Sequence, residues 1–93
     1  MKRRLLPNSA ALLAFDAVAR SGSFTAAAQV LSLTQGAVSR QVAQLEGQLG
    51  VVLIERSVRG AALTVAGVAY ANRVRVALET LGQGALEAMG QAP

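Results

Sequence analysis

Nine lysines and arginines stand against five carboxylates, in a chain with neither histidine nor cysteine. The carboxylates, at Asp16, Glu46, Glu55, Glu79 and Glu87, are scattered along the chain and form no plausible acid–base cluster. Without His or Cys, thiol and imidazole catalysis and the usual zinc ligand sets are excluded. The residues therefore describe a binding protein rather than an enzyme, and they imply no cofactor. The chemistry that remains is hydrogen bonding and positive charge. It is concentrated in Thr34-Gln35-Gly36-Ala37-Val38-Ser39-Arg40. A glutamine amide pairs bidentately with adenine, an arginine guanidinium with guanine, and an alanine methyl meets a thymine methyl. Arg40 is equally suited to clamp a phosphate. A helix face with one long cation, Arg40, among the small residues Gly36, Ala37 and Ser39 is shaped to enter a groove.

Such residues need a helix that protrudes. The stretch Phe24–Leu49 has an apolar-faced segment, a break at Ser32-Leu33 and a second segment opened by Thr34. That order predicts a helix-turn-helix over about 24–43. Before it, Pro7-Asn8-Ser9 is a helix start with Asn8 or Ser9 as cap. The first helix then runs to about Arg20, with Leu12, Phe15, Val18 and Ala19 on one face. Leu13 lies off that stripe, as an exposed apolar residue or a dimer contact. Gly22 supplies the left-handed helix end. The second helix spans about Thr25–Leu31 with Ala27, Ala28 and Leu31 inward, small enough for close helix approach. Thr34 caps the third helix, in which Val38, Val42, Leu45 and Leu49 form the apolar stripe and Gly50 is the stop. Gly36, Arg40, Ala43 and Gly47 lie opposite. Gly47 reads either as room for a close neighbour or as a neutral surface residue.

Val51-Val52-Leu53-Ile54 is the one β-branched run, so it predicts a strand. Arg56–Gly60 forms a turn with two cations, and Ala61–Leu63 returns as a second strand, together a small wing. Thr64 caps a long helix from Val65 to at least Leu81. Val74, Leu78, Leu81, Ala85 and Ala88 recur at spacings of four and three, a seam for a partner helix. Gly82, Gly84 and Gly90 predict a frayed end. The expected organisation is thus a basic arm over 1–8, read as flexible, a winged helix-turn-helix over 9–64 and a linker or dimerisation helix over 65–93. In this fold Thr25 and Thr34 offer hydroxyls and helix N-terminal amides to phosphates. Arg56 and Arg59 on the wing reach backbone or the adjacent minor groove.

The net charge of +4 and a pI near 11.2 suit a polyanion partner. No apolar run approaches the ~20 residues of a membrane span. The basic start Met1-Lys2-Arg3-Arg4 is followed by Asn8, Ser9, Asp16 and Arg20, which interrupt any signal-peptide core. Lack of cysteine is compatible with a cytoplasmic location.

Six motifs together resemble the N-terminal domain of LysR-type transcriptional regulators. They are F-x-x-V-A-R at Phe15–Arg20, S-F-T-x-A-A at Ser23–Ala28 and T-Q-x-A-V-S-R-Q-V at Thr34–Val42. L-E-x-x-L-G at Leu45–Gly50, L-I-E-R-S at Leu53–Ser57 and L-T-x-A-G at Leu63–Gly67 complete the set. The resemblance implies a mainly α fold, three helices and a β-hairpin wing followed by a long linker helix. It implies homodimers whose linker helices pair antiparallel, here through Val74, Leu78, Leu81 and Ala85, and an operator that is an inverted repeat in double-stranded DNA. It also implies a following effector domain for a small-molecule inducer. No residues here supply one, so inducer binding is not expected of this chain. Departures from the pattern are Gly36 for proline or a small polar residue, Ile54 for phenylalanine, Ala61 and Ala62 for bulkier or basic residues, and Val65 for proline or glutamate. An alternative use of the same fold is a protein-interaction or dimerisation module without specific DNA binding.

Overall fold

The computed structural model describes residues 5–91. Four helices and one hairpin follow in the order α1 (Ser9–Ser21), α2 (Phe24–Leu31), α3 (Gln35–Leu49), β1 (Ile54–Ser57), β2 (Gly60–Leu63) and α4 (Val65–Gly90). Each helix begins at a side chain that accepts a bond from an otherwise unpaired N–H of the first turn. Asn8 accepts from Ala11, Ser23 from Ala26, Thr34 from Ala37 and Thr64 from Gly67. Left-handed residues end the first three helices, with φ of 70° at Gly22, 56° at Ser32 and 70° at Gly50. Ser32 is the break of the helix-turn-helix. Its neighbour Leu33 returns an N–H to the Ala28 carbonyl at 2.9 Å, so the turn is closed by backbone alone.

The core is aliphatic and alanine-rich, built on Phe15, Val18, Val38, Leu45 and Leu53. The inward face of α1 is rotated from the expected stripe. Ala11, Ala14 and Ala17 are buried beside Phe15 and Val18, whereas Leu12 and Ala19 are only half-buried. Alanine there lets α2 and α3 pack closely against α1, and the bulkier Leu12 fits better at the margin. Leu13 is exposed. Gly47 has open space around it, so it is a neutral surface glycine.

The wing differs from its expected position. Val51 and Val52 are exposed and outside any strand, and β1 begins at Ile54. The Glu46 carboxylate accepts from the N–H of Leu53 at 2.7 Å and of Ile54 at 3.1 Å. On the opposing side β2 ends at Leu63, and Thr64, whose N–H donates to the Leu53 carbonyl at 3.0 Å, turns the chain into α4. β2 therefore does not extend opposite Val51 and Val52. The strands pair antiparallel, Ile54 with Leu63 and Ser57 with Gly60, around a turn at Val58-Arg59. Arg56 and Ser57 are therefore strand residues rather than turn residues. The Ala61 N–H donates to the Gly22 carbonyl at 3.1 Å, tying the wing to the α1–α2 turn.

The last helix closes the core. Val74 is buried, and Tyr70, Ala71 and Leu78 pack against the same cluster. The Tyr70 ring lies 5.8 Å from that of Phe15, and burial pushes its phenol above the ordinary value. Val74 is thus a core residue of its own domain, not a free seam residue. α4 is therefore part of the domain's core, through Val74 and through Tyr70 against Phe15 of α1. The helix runs on past Leu81, through Gly82 and Gly84, to Gly90, where a frayed end is expected. Each glycine costs about 1 kcal/mol against alanine, but the surrounding Ala, Leu, Gln and Glu residues favour helix. Of the expected arm, residues 1–4 lie outside the described residues. Leu5 and Leu6 are exposed, and Pro7 is buried at the start of α1.

Candidate nucleic-acid interface

Two helix starts and both strands of the wing converge on a single shallow cleft. It is lined by Ser23, Phe24 and Thr25 at the start of α2, Gln35 at the start of α3, and Arg56, Ser57 and Gly60 of the wing. Three of the predicted site residues, Thr25, Gln35 and Arg56, thus meet in one place although 31 positions separate the first from the last. The N-terminal amides of α2 and α3 give the cleft positive partial charge. Thr25 is exposed. The Thr34 oxygen accepts from the Ala37 N–H at 3.0 Å, which leaves the hydroxyl proton to donate to a ligand.

Arg40 lies one turn further along α3, on the same face as Gly36. A β-carbon built on Gly36 would stand 3.5 Å from Arg40 Nη1, so the guanidinium lies back over the glycine. Gln35, Gly36 and Arg40 are exposed, while Ala37 and Ser39 are half-buried. Arg59 sits in the wing turn outside the cleft, its N–H donating to the Ser57 hydroxyl oxygen at 3.2 Å.

Charge pairing separates two groups of arginines. Arg20 pairs with Asp16 at 2.9 Å, and Arg75 with Glu79 at 3.7 Å. Among the described residues, no carboxylate pairs with Arg40, Arg56 or Arg59. Arg56 instead lies over the Phe24 ring, its central carbon 3.7 Å from the ring centroid. The face formed by the α3 start and the wing therefore keeps its positive charge. The sequence expectation missed this ring, because nothing local links position 24 to position 56. The expected seam residues stand apart from the cleft, along α4. Val74 is buried, Leu78 half-buried, and Leu81 and Ala85 exposed.

The family model of bacterial regulatory helix-turn-helix proteins of the lysR family matches residues 9–68, from the first residue of α1 into the first turn of α4. The chain belongs to the LysR family. One relative, the HTH-type transcriptional regulator TcbR of Pseudomonas sp. strain P51, is 48% identical over 69 residues, 74% of this chain and 24% of that protein. Another, TrpI of Pseudomonas aeruginosa, is 47% identical over 78 residues, 84% of this chain and 26% of that protein. The chain spans about a quarter of the length of these curated relatives. Among solved structures, the CbnR DNA-binding domain in complex with DNA matches with a TM-score of 0.80 and 42% identity, over 89% of this chain and 95% of that one. A complex of the BenM DNA-binding domain with a catB site also matches with a TM-score of 0.80, at 30% identity over 89% of this chain and 96% of that one. The LysR assignment thus agrees with the mainly α architecture of three helices, wing and long helix. No helix of the described residues is long and apolar enough to cross a membrane.

Proposed function

We propose that this chain binds double-stranded DNA with sequence specificity, as a homodimer, and forms the DNA-reading part of a cytoplasmic bacterial transcriptional regulator. The observation that carries the reading is the convergence of Thr25, Gln35 and Arg56 on one cleft, together with an exposed Arg40 that no carboxylate among the described residues neutralises. The DNA-bound CbnR and BenM domains, which share this fold, support it. In this reading α3 enters the major groove and presents Gln35, Gly36, Ala37, Ser39 and Arg40 to base edges. Thr25, Thr34 and the helix N-termini receive phosphates. Arg56 and Arg59 follow the backbone or the neighbouring minor groove. This is binding chemistry and requires no catalytic step or cofactor.

Dimerisation would use the exposed part of α4. Leu81 is 71% exposed and Met89 64%, and both fall on the helical stripe that passes through Leu78 and Ala85. Half-buried Leu78 would join that interface, while Val74 stays in its own core. Selection of bound duplexes from a random pool tests specificity and dimerisation together. An enriched inverted repeat is expected. Enrichment of a lone half-site would contradict the dimer, and a pool left unenriched would contradict sequence-specific reading.

A further inference from the structure

We propose that Phe24 is a positioning residue for DNA binding, its ring holding the Arg56 guanidinium ready for the nucleic acid without neutralising it. The inference rests on the DNA-binding reading above. It begins with the alternation of the hairpin. Residues two apart in a strand share a face, so Arg56 lies on the face of Ile54. Its cross-strand partner is Ala61, and that of Ile54 is Leu63. Ile54 is buried, and Ala61 and Leu63 pack against the core. Arg56 therefore starts from the side of the wing that faces the domain, while the residue itself stays exposed.

The partner is the Phe24 ring, with Arg56 Cζ 3.7 Å from its centroid, well inside the ~6 Å range of a cation–π attraction. Phe24 is buried at 7% exposure and is the first residue of α2, directly after the Ser23 cap. Its ring is fixed, and the guanidinium it holds sits at the positive end of α2. A carboxylate in the same place would anchor Arg56 as firmly but would cancel the charge a phosphate needs. A π face anchors the cation and leaves its charge and outer N–H groups for a ligand. The opposing strand contributes to this geometry. Ala61 opposite Arg56 is small, and its N–H is bonded to the Gly22 carbonyl, two residues before Phe24. The hairpin is thereby held at the distance where Arg56 and Phe24 meet.

The test is a double-mutant cycle on the full chain, read by fluorescence anisotropy with a labelled mixed-sequence duplex. Phe24→Leu is expected to weaken binding about threefold to tenfold. Arg56→Ala weakens it at least as much and flattens the salt dependence. In the Arg56→Ala background, Phe24→Leu changes affinity by less than about twofold, because both act through one interaction. Phe24→Tyr retains the ring and restores near-original affinity. Thermal unfolding identifies the folded variants, and Phe24→Met replaces Phe24→Leu if the latter does not fold. Equal losses from Phe24→Leu in both backgrounds, or wild-type affinity for Phe24→Leu while Arg56→Ala is impaired, would overturn the positioning role alone. Absence of duplex binding by the unaltered chain would overturn the DNA-binding reading and this inference with it.

Discussion

Gly67→Ala is expected to destabilise the domain by about 3 kcal/mol or more, the range of severe overpacking. For a chain of this size that lowers the unfolding midpoint by roughly 10–20 °C. A β-carbon on Gly67 would overlap the Leu53 carbonyl oxygen and stand 3.0 Å from the Leu53 carbonyl carbon. Neither group is free to move. The Leu53 carbonyl accepts from the Thr64 N–H at 3.0 Å, and the Thr64 hydroxyl donates to the adjoining Val52 carbonyl at 2.8 Å. Leu53 itself is 2% exposed, and the Glu46 carboxylate holds its N–H. Relief would require α4 to lift from the wing, breaking the cap that starts the helix and unseating Val74. Gly82→Ala serves as the internal control, since nothing lies within 4 Å of its β-position. It is expected to stabilise by about 0.5–1 kcal/mol through helix propensity. Thermal unfolding followed by circular dichroism reads both. A Gly67→Ala midpoint equal to wild type would refute the packing account of the α4 start.

The second large effect falls on binding. Arg40→Ala should weaken operator binding by about 1–3 kcal/mol, or roughly 5- to 150-fold, with little effect on folding. Arg40 is exposed, and no carboxylate among the described residues pairs with it, so its removal leaves no buried group stranded. The form of the loss distinguishes its role. A base-reading Arg40 loses discrimination at one position of the site. A phosphate-clamping Arg40 loses affinity evenly across sequences. A gel-shift titration with unchanged affinity would remove Arg40 from the interface.

How far the fold could be read from the residues follows the range of the interactions involved. Caps and stops are local. Ser23, Thr34 and Thr64 each bond within three residues, Gly22 adopts the left-handed turn expected of it, and Gly50 is the helix stop expected there. The helix-turn-helix was legible for that reason. The misplacements all depend on partners distant in sequence. Val51 and Val52 look like strand, but β2 ends at Leu63 and the chain turns into α4, so no pairing extends opposite them. Ala11 and Ala14 are equally good as surface or core, and only the close approach of other helices decides. Val74 looks like a seam residue because spacing cannot say whether the surface it meets belongs to the same chain. Gly67 belongs to a recognisable motif, yet its reason, the Leu53 carbonyl, lies across the wing. The site was legible as separate residues, whereas the cleft joining Thr25, Gln35 and Arg56 and the ring beneath Arg56 required the fold.

The most direct measurement of the central claim is duplex affinity as a function of salt. The logarithm of the binding constant is expected to fall linearly with the logarithm of salt, at about −0.9 per phosphate contact. Arg59→Ala should make that slope shallower by about one while lowering affinity evenly across sequences. A winged helix used only for protein interaction would have no salt-dependent affinity for duplex DNA. A slope near zero, or one that Arg59→Ala leaves unaltered together with Arg40→Ala, would contradict the assignment of this face to DNA.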